Sequence, residues 1–339
     1  MAVSFNRLSG WQRAGGLAAA LTLATTLIVV AFAWPTSSAD PRQLPVVVAP
    51  AAAQQVRGQL AGNGAGDLLE ISGVADETAA RAALSDRTAF GAIVVGPNGP
   101  TVLKAGAASP TVGQLLDQLA ATLATGKPPV TAQDVVPPPA GDPHGSAFAT
   151  AVLPLTLSAL ALGAAFGLGV RQRRPRLAGV LGTAIAVGVC FTWVLDSWLG
   201  LLGGAFLAEA SVIALAVGAV GAVALPVSEL TALIGAPAAG IGAGFFVLLG
   251  VPLAGLAVPW QSMPDFWGQF GRYLPAGAGG ELLRRVSFFP TASMTFPLLV
   301  LSGWLMVGLA VTLIPRRGVP AAVGQQQASA VVGEQLAAT

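Results

Sequence analysis

The chain has 339 residues, of which 54% are hydrophobic and only 9% charged, with a net charge of +2. Soluble domains carry roughly 25% charged residues, so this composition excludes an ordinary soluble protein, and the small net charge argues against nucleic-acid binding. The single cysteine, Cys190, excludes a disulfide within the chain, and the single histidine, His144, excludes a histidine-cluster metal site.

The N-terminus contains the first predicted membrane span. Residues 1–14 carry Arg7 and Arg13 and no acid, and residues 15–34 form an apolar run long enough to cross a bilayer. Ala31-Phe32-Ala33 also resembles a signal-peptide cleavage site, but the run is longer than a usual signal core. We expect an uncleaved transmembrane helix, with a cleaved signal peptide as the alternative. In both cases the basic N-terminus stays in the cytoplasm and the following residues are exported.

Residues 35–126 predict a small exported α/β domain. Nine of the fifteen acidic residues of the chain lie between Asp40 and Asp142. Short apolar runs alternate with helical patterns, which favours a partly parallel sheet covered by helices. A turn signal at residues 97–100 predicts a hairpin between the last two strands. The predicted strands are Leu44–Val48, Leu68–Val74, Ala89–Val95 and Thr101–Ala107, and the predicted helices are Ala51–Leu60, Asp76–Leu84 and Pro110–Leu123.

A proline-rich connector follows at residues 127–146. Proline fixes φ and lacks an N–H donor, so this stretch is neither regular helix nor inner strand. Its most distinctive residues are Asp134, Asp142, Pro143 and Gly145. We expect the connector to lie on the outer membrane face and to lead into the second span.

Residues 147–314 predict a membrane domain of five further helices. No lysine or arginine occurs between Arg176 and Arg272, and lipid can cover that much apolar surface where water cannot. Residues 259–295 are less apolar and rich in aromatic side chains, which indicates an outer interfacial or re-entrant segment. Residues 315–339 predict a disordered cytoplasmic tail. The predicted spans cover about residues 147–170, 177–195, 201–225, 233–258 and 296–314.

The distribution of arginine predicts the orientation. Positive loops stay cytoplasmic, and one dense cluster consists of Arg171, Arg173, Arg174 and Arg176. Six spans put this cluster, the basic N-terminus and Arg316–Arg317 on one side. The expected protein is therefore an α-helical integral membrane protein of the plasma (inner) membrane, with both termini cytoplasmic and residues 35–146 outside. Arg272, Arg284 and Arg285 then fall outside, against the usual rule.

Few polar side chains lie within the predicted spans. Glu209 is the acid well inside one, and it is either a pathway residue or a residue of the membrane interface. Gly240 and Gly244 form a small-xxx-small pair, as do Gly163 with Gly167 and Gly200 with Gly204, and these suit packing within the bundle or a dimer face. The sequence has no phosphate-binding loop and no catalytic constellation, so we expect neither an enzyme nor a cofactor on this chain.

Three stretches resemble the type-2 permease family of ABC exporters, in particular its phage-infection-protein-like branch. The first includes Leu44-Pro-Val-Val-Val, residues 79–96 and Ala105-Gly-Ala. The second is the connector from Asp134 to Gly145. The third comprises residues 258–264, Leu274-Pro275 and Arg284-Arg285, which are similar to an outer re-entrant region before the last span.

The resemblance implies a permease subunit of an ATP-driven exporter for a hydrophobic or amphipathic substrate. Two such halves, identical or different, would form one pathway, with ATP bound to a separate cytoplasmic ATPase. The ATPase would contact the loop that holds Arg171, Arg173, Arg174 and Arg176. The alternative is a membrane-anchored receptor, signalling or interaction protein that acts through its exported domain without transport.

Overall fold

A computed structural model describes residues 10–37, 44–49, 58, 68–96, 99–123, 130, 132–143, 145–170, 172–234 and 242–314. Helix α1 spans Gly10–Ser37 and includes the predicted first span. The described chain then forms a five-stranded sheet domain followed by a helical bundle. Its remaining α-helices are α2 (Glu77–Ser85), α3 (Pro110–Leu123), α4 (Ser146–Thr150), α5 (Val152–Gly169), α6 (Arg173–Thr192), α7 (Phe206–Ile234), α8 (Asp265–Arg272), α9 (Pro275–Phe288) and α10 (Thr295–Leu313).

The sheet has the order β2-β1-β3-β4-β5. β1 pairs in parallel with both β2 and β3, and β3 pairs antiparallel with β4, so the partly parallel sheet and the hairpin are confirmed. The fifth strand lies inside the predicted connector and pairs in parallel with β4. It is an edge strand, the position where a proline-flanked segment can still pair. The strands are β1 (Leu44–Ala49), β2 (Leu69–Gly73), β3 (Gly91–Gly96), β4 (Gly99–Lys104) and β5 (Ala132–Asp134).

Helices α2 and α3 complete the sheet domain. The Asp76 side chain caps α2 by accepting a hydrogen bond from the Ala79 N–H at 2.8 Å. α3 packs closely on the sheet, because a Cβ added to Gly91 would lie 2.6 Å from a methyl group of Leu116. The helix predicted at Ala51–Leu60 lies outside the described residues except for Gly58. The predicted fourth strand ends at Lys104 instead of Ala107, where the chain turns toward α3.

Four helical segments are long and apolar enough to cross a membrane, as expected for a helical membrane protein. They are Ser146–Gly169, Arg173–Trp198, Phe206–Ser228 and Thr295–Leu313. The second includes a π-helical turn at Trp193–Trp198. α1 contributes a shorter apolar stretch, Thr22–Trp34. Of the roughly six predicted spans, the structure therefore supports four within the part of the chain that it describes.

Helix α7 lies at the centre of the bundle. In its most apolar window 61% of the residues are buried, against 22% in each of the other three segments. Gly163 and Gly167 of α5 lie against Ala224 and Ser228 of α7, so these two helices run parallel. The α5 glycine pair therefore serves packing within the bundle. Gly188 of α6 lies against Ala210, and α6 runs antiparallel to α7.

The predicted fifth span, 233–258, is not a continuous helix. After residues 235–241, which lie outside the described part, the chain is helical over 242–250, with a π-helical turn at Phe245–Gly250, and then forms a 3-10 turn at Pro252–Ala254. Pro252 cannot donate to a continuing helix, and Gly255 takes a left-handed φ of 72°. A second 3-10 turn at Trp260–Ser262 precedes α8. We call residues 242–262 the broken segment.

Candidate functional site

Helix α9 belongs to both parts of the protein. Its Ala278, Leu282 and Leu283 lie in the hydrophobic core of the bundle. Directly after it, Phe289 is fully buried in the core of the sheet domain, together with Ala292. One short segment thus fills both cores, and the contacts around it form what we call the coupling interface.

An ion-pair cluster fixes α9 to the sheet domain. Arg87, at the end of α2, lies 2.8 Å from one carboxylate oxygen of Glu281, and Arg285 lies 2.7 Å from the other. Burial would raise the pKa of Glu281, but the positive charges of Arg87, Arg285 and Arg284 outweigh it and lower that pKa below its usual value. The carboxylate is therefore ionised at neutral pH. The Arg87 guanidinium also lies 5.2 Å from the centre of the Phe289 ring.

Arg284 joins three segments at one point. It donates to the Ala108 carbonyl of the sheet domain at 3.1 Å and to the Leu256 carbonyl of the broken segment at 2.8 Å. Its guanidinium lies 5.0 Å from the centre of the Phe148 ring in α4. Burial, with a smaller effect of Arg87, lowers the pKa of Arg284 to about 9 against the opposing attraction of Glu281. Arg284 thus stays charged at neutral pH.

The predicted connector motif forms the second half of the coupling interface. Asp134 accepts a hydrogen bond from the Gly106 N–H at 3.0 Å. Asp142 is 4% exposed and accepts from the N–H groups of Ser146 and Phe148 at 2.9 and 3.0 Å, which caps α4. His144 lies outside the described residues.

The tip of the connector touches both parts of the protein. Gly141 donates to the Gly200 carbonyl at the α6–α7 junction. Gly145 has a φ of 65°, and a Cβ there would lie 2.2 Å from Pro110 of α3. Pro143 lines a polar cavity beside α3. The structure therefore places Asp142 and Gly145 at the junction between the sheet domain and the bundle, while the contacts of Asp134 and Pro143 lie within the sheet domain.

Glu209 extends the coupling interface into the bundle. It is fully buried in the first turn of α7. Its Oε1 accepts from the Ser287 hydroxyl at 2.6 Å and from the Gly204 N–H at 2.9 Å. Its Oε2 has no hydrogen-bond partner among the described residues. Through these bonds Glu209 ties the central helix to α9.

The predicted arginine loop is mostly helix. Arg171 lies outside the described residues, and α6 begins at Arg173. Arg176 is 7% exposed and donates to the Val170 carbonyl at 2.7 Å, while Arg173 donates to the Leu313 carbonyl at 3.2 Å. Arg174 is exposed. Two of the cluster's arginines therefore hold helix ends together on the side of the bundle opposite the sheet domain, which we call the far side.

The other glycine predictions receive little support. Gly240 lies outside the described residues, and a Cβ on Gly244 would meet only a methyl group of Leu248 at 3.8 Å. Gly200 takes a φ of 62° at the end of the π-helical turn, so Gly200 and Gly204 do not form a helical pair.

Two apolar cavities lie between α5 and the broken segment. The domain-side cavity has a volume of about 270 Å³ and the far-side cavity about 250 Å³. A third, polar cavity of about 150 Å³ lies in the sheet domain. The domain-side cavity is lined in part by Phe32, Ala149, Leu153, Val251, Ala257 and Met263, and the far-side cavity by Leu160, Ala161, Ala164, Val227, Gly242 and Phe246.

Sequence reasoning missed the ion-pair cluster. The signal was the trio of arginines that depart from the positive-inside rule. In the structure Arg285 pairs with Glu281, and Arg284 donates to two backbone carbonyl groups. The Arg272 guanidinium lies 4.4 and 4.8 Å from the ring centres of Trp260 and Phe296. Glu281, four residues before Arg285, was the visible local hint.

In comparisons with known proteins, no protein-family model, curated protein sequence or solved structure matches this chain.

Proposed function

We propose that this chain is the membrane permease subunit of an ATP-driven exporter of the ABC type-2 kind, for a hydrophobic or amphipathic substrate. ATP would bind to a separate cytoplasmic ATPase, and two permease halves, identical or different, would form one pathway in the plasma membrane. The sheet domain would face the outside. The resemblance of the connector and of the region before the last span supports this proposal.

The observation that carries the proposal is the broken segment. Irregular backbone at membrane depth is tolerated where it is buried in protein or lines a cavity, and broken helices are typical of transporters. Here the helix ends after Gly250, and the irregular stretch that follows forms a wall of the domain-side cavity, while the helical residues 242–246 line the far-side cavity. A simple membrane anchor has no need of such a segment, whereas a pathway for an apolar substrate does.

The coupling interface gives a route for conformational change. α7 is bound to α9 through Glu209 and Ser287, and α9 is bound to the sheet domain through Arg87, Glu281 and Arg284. A movement of α7 would therefore be passed to the sheet domain. On the far side, the exposed Arg174 is the described arginine best placed to meet an ATPase.

Purification of the tagged chain from its native membrane, followed by mass spectrometry, tests this function. We expect a soluble chain with a phosphate-binding loop to be recovered in comparable amount. Arg174→Glu should reduce its recovery, while Arg174→Lys, which keeps the charge, should retain it. A topology reporter in both variants checks that orientation is unchanged. Repeated recovery of the chain without an ATPase would contradict the proposal.

The alternative, a membrane-anchored receptor or signalling protein, is favoured by one observation. The polar cavity of about 150 Å³ lies beside the connector, next to Asp134 and the ion pair of Lys104 with Asp117. A small polar ligand bound there would touch both the sheet domain and the connector. Stabilisation of the chain by such a ligand, with no ATPase recovered, would favour this second function.

A further inference from the structure

The two apolar cavities share their walls. α5 contributes to both, with Val152 and Leu153 to the domain-side cavity and Ala161 and Ala164 to the far-side cavity. The broken segment contributes Val251 and Ala257 to the first and Gly242 and Phe246 to the second. Both cavities therefore lie along the groove between α5 and the broken segment, which we call the cleft.

The cleft extends along α5 over about half the thickness of a hydrocarbon core. The α5 residues that line the two cavities are centred about 11 positions apart, which at 1.5 Å per residue corresponds to about 16 Å, against a core about 30 Å thick. Between them on the same face lies Leu157, which is 48% exposed.

The side chains that line the cleft offer little hydrogen bonding to water. Its two hydroxyl groups belong to Thr150 and Ser228. Thr150 donates to the Ala147 carbonyl at 2.8 Å and Ser228 to the Leu225 carbonyl at 2.7 Å, so both are engaged with their own helices. Apolar cavities without polar partners stay dry and take apolar ligands. Each cavity has room for roughly eight groups of the size of a water or methylene, at about 30 Å³ each.

From these observations we infer that the cleft binds the acyl chain of a phospholipid from the surrounding bilayer, in the far-side cavity and in the domain-side cavity in turn. This binding of an acyl chain in the cleft does not depend on whether the chain is an exporter subunit. The further step, that an acyl-chain lipid is the substrate class of the exporter, rests on the proposed function. The broken segment would then be the element that lets the chain pass Leu157.

The test is photocrosslinking of the full chain, reconstituted without other proteins in vesicles that contain phosphatidylglycerol with a diazirine in one acyl chain. Peptide mapping should place crosslinks on residues 149–153 and 251–258 and on residues 160–168 and 242–246. Ala164→Phe fills the far-side cavity and should reduce crosslinking there several-fold. Ala165→Phe, the same change one position along α5 and outside the cavity lining, is the matched control.

A second variant tests whether a loss of crosslinking in Ala164→Phe comes from misfolding. Ala161 also lines the far-side cavity but is exposed, so Ala161→Phe should have the same effect with less strain on the bundle. Crosslinks that stay on outward faces such as Leu299 and Met306, with equal yield in all variants, would overturn the inference. Because no ATPase is present, failure here leaves the permease proposal standing, and failure to recover an ATPase leaves lipid binding standing.

Discussion

Arg87 of the sheet domain and Glu281 of α9 lie 194 positions apart in sequence, yet their side chains meet at 2.8 Å. The Arg87 side chain is only 9% exposed and that of Glu281 28%. A buried ion pair adds little net stability by itself, but removal of one partner leaves the other charge uncompensated. The pair therefore acts as a lock between the sheet domain and the bundle.

Glu281→Gln should release this lock. It leaves Arg87 buried without its counter-charge, and we expect the coupling interface to lose about 2–4 kcal/mol. Hydrogen exchange of α9 and of the segment around Arg87 measures the opening free energy. Glu77→Gln is the matched control, because Glu77 pairs with Arg81 in the same domain but is 52% exposed, and should change stability by less than about 1 kcal/mol. Equal effects of the two substitutions would contradict the lock.

The lock should also weaken in acid. The pKa of Glu281 is lowered in the folded protein from 4.5, because the arginine charges favour its ionised form. Its stabilising contribution is therefore complete above that unfolded value and is lost as the pH falls through the lowered folded value. Hydrogen exchange of α9, measured from pH 7 down to about pH 3 with correction for the intrinsic rate, should show this loss. In Glu281→Gln the same profile should be flatter, and an unchanged profile would refute the assignment.

Arg284→Lys should not be a conservative change. The guanidinium bonds two carbonyl groups from different segments, Ala108 and Leu256, and a lysine ammonium lacks the planar fork that holds both. We expect a loss of about 1–3 kcal/mol, since one buried carbonyl loses its partner. Arg81→Lys, at an exposed site, is the control. Double-mutant cycles with Arg87→Ala would show whether the two arginines act together.

The sequence predicted those parts of the fold that depend on local patterns. The alternation of apolar runs and helical segments predicted β1 to β4, α2 and α3, and long apolar runs predicted the membrane helices. It did not predict β5, because three residues beside prolines carry too little local signal and pair only where β4 offers an edge. Hydropathy predicted a fifth span over 233–258, but it measures apolar content alone and does not show where Pro252 and Gly255 end the helix.

The coupling interface was half visible in the sequence. Asp142 and Gly145 stood out because a dense run of proline, glycine and aspartate is unusual. The partners of Arg87 and Arg284 did not, because pairs separated by 194 and 176 positions leave no periodic pattern. Glu209 was recognised as an unusual acid, but its burial against Ser287 depends on the packing of α9.

Gly145→Ala should strain the connector. The φ of 65° is unfavourable for a side chain, and the new Cβ would lie 2.2 Å from Pro110. We expect a loss of about 1–3 kcal/mol in thermal or denaturant unfolding, from backbone strain of that order. The matched control is Gly182→Ala in α6, where a Cβ meets nothing within 4 Å, so that alanine should be neutral or stabilising. If both changes are neutral, the connector does not hold the geometry that the structure shows.

Glu209 and Ser287 should be energetically coupled. The Ser287 hydroxyl donates to Glu209 at 2.6 Å where both groups are buried, and loss of one partner of a buried hydrogen bond costs about 1–3 kcal/mol. Ser287→Ala, Glu209→Gln and the double variant form a cycle. Glu209→Gln keeps an acceptor for Ser287 and for the Gly204 N–H, so it should cost less than Glu209→Leu, which leaves both donors unpaired.

The readout for this cycle should separate the bundle from the sheet domain. Hydrogen exchange at the start of α7 and at the end of α9 should rise together in Glu209→Leu, because one carboxylate connects them. If the bond also passes movement to the sheet domain, exchange around Phe289 should rise as well, since that residue follows Ser287 by two positions and is fully buried in the sheet-domain core. Exchange that rises in α7 alone would mean that Glu209 stabilises its own helix and does not couple the two parts of the protein.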